Sequence, residues 1–360
     1  MIISLLELNN FRNYETLKLE LSKDINILYG DNAQGKTNVL EALYLCSTTK
    51  SHKGAKDKDM IRIGCDESHL RMYFSRTGIN HKIDMHLRKS ARKGVAVDGI
   101  PVKRSSEVYG LMNVVFFSPE DLSMIKNGPA DRRRFVDAEL CQLNRAYLQY
   151  LSDYNKTLEQ RNDLLKQISF NKSLRDTVEI WDKQLARYGR FLIDTRKEFI
   201  DELNEIVGDI HKNISGGKEN LIVKYEPSVG PEEFEQKLTE TLDRDLYQKN
   251  TGIGPHRDEL SFFVKDENLK LYGSQGQQRT AALSVKMAEI ELVRKKVGEN
   301  PILLLDDVLS ELDRGRQQSL LNSINGIQTI ITCTGLEEFV GYRSRMNTLY
   351  KVTSGSIEKL

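Results

Sequence analysis

Residues 30–37 read GDNAQGKT. The stretch matches G-x-x-x-x-G-K-[ST], a loop whose backbone N–H groups surround phosphate while the following helix turns its positive end toward it. Its flanks supply the context the motif needs. KDINILYG (23–30) ends in an apolar run that reads as a buried strand, and Val39, Leu40, Leu43 and Tyr44 then fall at helical spacing. In such a loop Gly30, Asp31, Asn32, Ala33, Gln34 and Gly35 present backbone to phosphate. Lys36 brings an ammonium to the β and γ phosphates, and Thr37 a hydroxyl to Mg²⁺. The plain alternative, a coincidental glycine turn, does not account for the strand before it and the helix after it.

A second element answers the first from the far end of the chain. ILLLDD (302–307) is four apolar residues tipped by two acids, a strand from a sheet interior with carboxylates at its C-terminal end. Asp306 is placed to hold Mg²⁺ and Asp307 to orient or activate an attacking water. Alone, such a run is also an ordinary strand end. About 270 residues separate Lys36 from Asp306, far more than in small nucleotide kinases or GTPases.

A third stretch, GSQGQQRTAALSVKMAEIELVRKK (273–296), sets Ser274, Gly276 and Gln277 directly before a long helical pattern. It resembles the S-x-G-Q signature of ABC-type ATPases, in which Ser and Gly at a helix start contact the γ-phosphate of nucleotide bound on a second subunit. Read by itself it is a helix cap. SELD (310–313) follows at the position of a dimer-contact loop, and is equally a helix start with Ser310 as cap and Asp313 favouring the dipole.

Between these motifs the chain changes texture. Ile3, Leu5, Leu8, Leu17, Leu19 and Leu21 suggest half-buried strands; residues 60–118 are strand-rich, with a turn at Asp98-Gly99 and a closing apolar run VVFF (114–117). Over 131–215 the rhythm is helical. Tyr147, Leu151, Tyr154, Leu158, Leu165 and Ile168 recur at three- and four-residue steps, skipping one slot at Arg161. Trp181, Leu185, Tyr188, Leu192, Phe199 and Ile206 resume it after a polar break, which predicts a short antiparallel helical hairpin. The expected architecture is α/β: an ATPase head with a mixed sheet, its N-terminal part at 1–130, a helical insertion at 131–215, and its C-terminal part at 216–360.

Composition narrows the class. With 53 basic and 52 acidic residues the net charge is +1, so contact with nucleic acid must rest on local clusters. Three exist: Lys50, Lys53, Lys56 and Lys58, which we favour because they follow the cradle helix; Arg132, Arg133 and Arg134, which could instead pair with Asp131, Asp137 and Glu139; and Arg88, Lys89, Arg92 and Lys93. Such clusters neutralise phosphate without reading sequence. The four cysteines lack C-x-x-C pairing, no signal-like N-terminus is present, and no apolar run spans a bilayer, which predicts a soluble cytoplasmic protein with reduced thiols.

NFRNY near the start, GDNAQGKTN, FFSPEDL, DRRRFVD, GPHRDEL, GSQGQQR and LLLDDVLSELD occur in the order found in the RecF family of bacterial recombination mediators, an SMC-like branch of the ABC ATPases, and nearly the whole chain resembles it. The resemblance implies an ATP- and Mg²⁺-dependent homodimer that binds duplex DNA and single-strand/double-strand junctions. It implies action with RecR and RecO to load RecA at gaps, with slow ATP hydrolysis releasing DNA. Arg12, in the FRNY stretch, is a plausible phosphate contact or a solvated loop arginine. The second acid is Asp307 where most ABC heads have Glu, and Thr332 and Thr334 stand where many place a switch histidine, leaving the γ-phosphate sensor open. His256 and Arg257 could face DNA or a dimer partner. The rival reading is a monomeric P-loop kinase or phosphotransferase with a small acceptor; a scaffold with a vestigial ATP site is a third.

Overall fold

The computed structural model describes residues 1–122, 124–217, 219–336 and 348–360. The chain forms two compact units, one of Met1–Leu122 with Glu289–Leu360 and one of Ser123–Ala288. Residues 216–288, grouped by sequence with the C-terminal part of the head, thus cluster with the helical hairpin. Among the described residues no helix is long and apolar enough to cross a membrane, and none of the four cysteines is placed in a disulfide.

The first unit holds two six-stranded sheets. One is antiparallel, in the order β2-β1-β4-β5-β6-β7. Its strands are β1 (Ile2–Phe11), β2 (Tyr14–Glu20), β4 (Glu67–Arg76), β5 (Ile79–Arg88), β6 (Gly94–Val97) and β7 (Ile100–Pro101). Burial alternates along β4 and β5, so Ser68, Leu70 and Met72 face the core while Glu67, His69 and Arg71 face out. The apolar alternation of β1 fails to run straight from Ile3 through Leu5 to Leu8 because the register shifts between Ile3 and Leu5. That shift leaves Ile3, Leu6, Leu8 and Phe11 as the buried apolar set. Asp98 and Gly99, both at positive φ (53° and 82°), make the tight turn between β6 and β7.

The other sheet is mixed, in the order β15-β14-β3-β13-β12-β8. It comprises β3 (Ile25–Tyr29), β8 (Val114–Phe117), β12 (Ile302–Asp306), β13 (Thr329–Cys333), β14 (Thr348–Thr353) and β15 (Ser356–Lys359). All but β15 run parallel. Helix α1 (Lys36–Thr48) packs on β4 and β5 of one sheet and on β8, β12 and β13 of the other. Clamped on both sides, most of α1 is buried, and its sequence lacks a polar face. Because β13 lies between β3 and β12, the carboxyl ends of these strands come together at one edge, where α/β sheets gather ligands. Short α2 (Pro119–Leu122) and α10 (Arg314–Ser323) complete the unit.

The second unit is built on α3 (Pro129–Leu143), α4 (Arg145–Ile168) and α5 (Val178–Ile214). Asn144 caps α4 by accepting from the N–H groups of Ala146 and Tyr147. Helices α4 and α5 are antiparallel neighbours, Arg161 meeting Asp182 and Tyr147 meeting Arg196. The slot skipped by the apolar rhythm is filled by Arg161. It is fully buried, with Nε 2.5 Å from Asp182 and Nη1 2.8 Å from Asp245. A three-stranded sheet, β9 (Leu221–Glu226), β10 (Glu259–Val264) and β11 (Glu267–Asn268), packs on α5 and α3. Helices α6 (Phe234–Glu240), α7 (Leu242–Gln248) and α8 (Leu269–Tyr272) follow, and α9 (Gln275–Val297) crosses the division between the units.

The GPHRDEL stretch is a knot inside this unit. His256 Nε2 lies 3.1 Å from the Thr251 carbonyl and Nδ1 2.7 Å from the Tyr154 hydroxyl. The neutral ring therefore donates to Thr251 and accepts from Tyr154. Burial, the largest cause, lowers its pKa to about 4. Asp258 is wholly buried and accepts from Arg196 and the Ser228 N–H, both at 2.9 Å. Of the two residues left open by sequence, His256 serves the interior and Arg257 is exposed.

Candidate nucleotide site

The cradle begins where β3 ends. Gly30 (φ 153°) passes so close to β14 that a Cβ would meet the Val352 carbonyl oxygen at 2.4 Å, and a Cβ on Gly35 (φ 114°) would meet the Asn13 side chain at 2.5 Å. Glycine is required at both by close approach, and at Gly35 also by conformation. No side chain caps α1 and no acid stands in its first turn. Its free N–H groups and positive dipole end are left for an anion. The Lys36 ammonium donates to the carbonyls of Gly30 (2.5 Å) and Asp31 (2.8 Å), folding across the loop it belongs to.

Two hairpin turns brace the loop from outside. From the β1–β2 turn, Asn13 Nδ2 donates to the Gln34 carbonyl (2.9 Å) and Asn38 Nδ2 donates back to Asn13 Oδ1 (2.8 Å). The Tyr14 hydroxyl donates to the Gly35 carbonyl at 3.1 Å. From the β14–β15 turn, the Ser354 N–H donates to Gln34 Oε1 (2.5 Å) and the Gly355 N–H to the Gln34 carbonyl (3.1 Å). Arg12, a candidate phosphate contact, is engaged by the protein itself: Nε and Nη2 fork onto Glu41 of α1 at 2.7 and 2.9 Å, and Nη1 donates to the Asp59 carbonyl.

The acid pair completes the site. Thr37 Oγ1 and Thr332 Oγ1 both donate to Asp306 Oδ1 at 2.8 Å. The Asp307 N–H donates to Thr332 Oγ1 (3.0 Å) and to the Thr332 carbonyl (3.2 Å). These bonds hold Asp307 at φ 52°, a left-handed conformation an aspartate adopts at a cost. Its Oδ1 is buried without a hydrogen-bond partner. Burial, then the Asp306 charge, raises the Asp307 pKa above the usual carboxylate value, with the Lys36 ammonium opposing. A half-buried carboxylate with an unused acceptor oxygen suits the handling of water. Thr332, read as an open γ-phosphate sensor position, is spent on the two acids, and Thr334 is exposed.

His52 is a neighbour that spacing did not reveal. Its ring stacks on Phe116 (4.0 Å, 28°) and meets Tyr44 edge-on. Both ring nitrogens are buried without hydrogen-bond partners, and burial lowers its pKa. Its stacking partner, Phe116, stands far along the sequence on β8, and that contact could not be read from a local pattern.

In the second unit the signature stretch forms a reciprocal cap. Ser274 Oγ accepts from the Gln277 N–H (3.2 Å) while Gln277 Oε1 accepts from the Ser274 N–H (3.0 Å). Ser274 is exposed and Gly276 half-buried at the start of α9. In the SELD stretch the cap is Asp313, not Ser310. The helix begins at Arg314, Asp313 Oδ1 accepts from the Arg316 N–H at 3.0 Å, and Ser310 Oγ donates to the Asp307 carbonyl.

The three basic clusters separate. Lys50, Lys53, Lys56 and Lys58 are all exposed, and none of their ammonium groups is in an ion pair among the described residues. Arg132 is buried, forked onto Glu259 at 2.7 Å, with carbonyls of Met124, Ile125 and Asn127 around Nη1. Arg133 donates to the Asp258 carbonyl and Arg134 pairs with Asp131. In the third cluster Lys89 pairs with Asp66 and Lys93 with Asp57.

The RecF/RecN/SMC N-terminal domain family matches residues 2–358. The chain is 60% identical, over the full length of both proteins, to the DNA replication and repair protein RecF of Lachnoclostridium phytofermentans. It is 57% identical to that of Agathobacter rectalis over 99% of each chain. Among solved structures, the recombination mediator protein RecF-ATP in the RecFOR pathway superposes with a TM-score of 0.92 at 34% identity, covering 100% of this chain and 97% of that one. An Smc head bound to the C-terminal winged-helix domain of ScpA superposes at 0.58 with 15% identity, a likeness of fold. The chain belongs to the RecF family of DNA replication and repair proteins.

Proposed function

We propose that this chain is an ATP-dependent DNA-binding protein of recombinational repair. It dimerises on ATP, binds duplex and gapped DNA, and helps RecO and RecR load RecA at single-strand gaps in the cytoplasm. The relatives named RecF and the RecF-ATP structure of the RecFOR pathway support the pathway. The observation that carries the chemistry is the Thr37–Asp306 hydrogen bond beside the unpartnered Oδ1 of Asp307.

Binding would begin with an exchange. The Lys36 ammonium leaves the Gly30 and Asp31 carbonyls for β- and γ-phosphate oxygens, while the backbone of Gly30–Thr37 and the start of α1 surround the phosphates. Thr37 and Asp306 fit a hard divalent cation by their oxygen donors and would hold Mg²⁺, which when bound offsets charge on the phosphates. Arg12 would join by trading Glu41 for phosphate. Asp307 orients the attacking water through its unused oxygen. One methylene shorter than Glu, it places that water less well, consistent with slow turnover acting as a timer.

Ser274, Gly276 and Gln277 would cover the γ-phosphate of a second subunit, so shared nucleotide favours the dimer and hydrolysis removes that advantage. The head would be assembled from 1–130 and 216–360 around the helical insertion 131–215. Lys50, Lys53, Lys56 and Lys58 would supply the DNA contacts.

Anisotropy of labelled gapped DNA tests this reading. Replacing all four lysines by alanine is expected to leave ATP affinity unchanged and to cut DNA affinity, flattening the log K against log salt slope by up to about 3.6. An unchanged slope would place DNA elsewhere, and DNA affinity indifferent to ATP would contradict the coupling.

A further inference from the structure

We propose that the outward face of the antiparallel sheet carries a Zn²⁺ site made by Glu67, His69 and His86, separate from the nucleotide site. His69 of β4 and His86 of β5 are direct cross-strand partners, and Glu67 lies two residues before His69 on the same outward face. The two imidazoles stack at 4.0 Å and 21°. Glu67 reaches both, Oε2 lying 2.8 Å from His86 Nε2 and Oε1 3.8 Å from His69 Nε2. One donor atom from each of the three residues falls within 4.8 Å of the others.

Four donors around tetrahedral zinc stand about 3.3 Å apart, given Zn–N and Zn–O bonds near 2.0–2.1 Å. The trio is therefore within roughly 1.5 Å of closing on an ion. His69 and Glu67 are more than half exposed, so rotation of the rings out of their stack needs no backbone movement. The backbone under them is fixed by the β4–β5 ladder, which sets the register on which the trio depends.

Ligand type and surroundings both favour a borderline-soft cation. Two neutral imidazoles with one carboxylate suit zinc far better than Mg²⁺ or Ca²⁺. Arg71 is offset by Asp84 and Glu7, and Lys82 by Asp84, while Arg88, cross-strand from Glu67, donates to the Arg92 carbonyl. His69 and His86 line an open groove of about 570 Å³ that also takes in Asn9 and Arg71. Three protein ligands leave a fourth position open, the pattern of an exchangeable site holding water.

Zinc titration of the full chain, free of any polyhistidine tag and followed by calorimetry, tests the site. One equivalent is expected to bind. His69→Ala and His86→Asn should each weaken binding by more than about 100-fold, because loss of even an outer-shell partner costs 10- to 100-fold. Should either variant fail to fold, Glu67→Gln, isosteric and exposed, gives the same reading. Cys65→Ser, removing the half-buried thiol two residues away, and Asp306→Asn should leave binding intact. Co²⁺ should give ligand-field absorption without a thiolate charge-transfer band. No uptake, uptake that survives in the histidine variants, or uptake that follows Cys65 or Asp306 would overturn the assignment.

Discussion

The Thr37 hydroxyl donates a 2.8 Å hydrogen bond to Oδ1 of Asp306 across 269 positions of sequence. The first residue of the cradle to offer a hydroxyl and the first acid of the distant strand are thus already joined in the arrangement a divalent cation would bridge. Asp306→Asn keeps an acceptor oxygen for Thr37 and Thr332 but removes the charge. The melting temperature is expected to move by no more than a few degrees. ATP affinity in the presence of Mg²⁺ should fall about tenfold or more, roughly 1.4 kcal/mol. Calorimetry with and without Mg²⁺ checks this, and an unchanged Mg²⁺ dependence would remove Asp306 from the cation site.

Asp307 makes the opposite trade. Its pKa is raised in the folded protein, chiefly by burial. Folding therefore favours its protonated form, and the carboxyl's contribution to stability is lost as pH rises through the folded pKa. At neutral pH the ionised Asp307 is a liability kept for chemistry. Asp307→Asn is expected to raise the melting temperature at pH 7 by about 1–3 °C. The gain should shrink as pH falls toward the ordinary carboxylate range, where the native residue is protonated too. Hydrolysis should be abolished with nucleotide binding retained. Thermal unfolding at several pH values reads the sign directly.

In the helical unit, Arg161 holds two carboxylates, Asp182 and Asp245, in a site sealed from water. Burial raises the Asp182 pKa even with Arg161 beside it, so the guanidinium is what makes these acids tolerable inside. Arg161→Ala should cost about 3–5 kcal/mol in urea unfolding, because it leaves buried charge uncompensated. A loss below 1 kcal/mol, roughly the worth of an exposed pair, would show that water reaches the site.

Arg161 also marks the boundary of what was legible in sequence. The cradle, the acid-tipped strand and the helical hairpin could be read because each is local: fixed spacing around Lys36, an unbroken apolar run before Asp306, and a repeat that stops and restarts between Ile168 and Trp181. The repeat's gap at Arg161 read as an interruption, since the acids that neutralise it come from α5 and α7. Arg132 could be read as a DNA contact or as pairing with a nearby acid for the same reason, its actual partner Glu259 being 127 positions away. In FRNY, Arg12 resembled a phosphate ligand, yet it is forked onto Glu41, and Asn13 and Tyr14 brace the cradle. Ser310 was read as the cap and Asp313 as favouring the dipole; the helix starts at Arg314, so the cap is Asp313. Glu67, His69 and His86 could not be joined without the β4–β5 register.

The central claim is that nucleotide closes two copies of this chain, with Ser274 and Gly276 of one covering phosphate held by Lys36 of the other. Sedimentation of Asp307→Asn with and without ATP and Mg²⁺ tests it most directly. The account predicts a mass that doubles only with nucleotide, and that stays single when Ser274→Arg is added although ATP still binds. A monomer under every condition, with ATP bound, would contradict it.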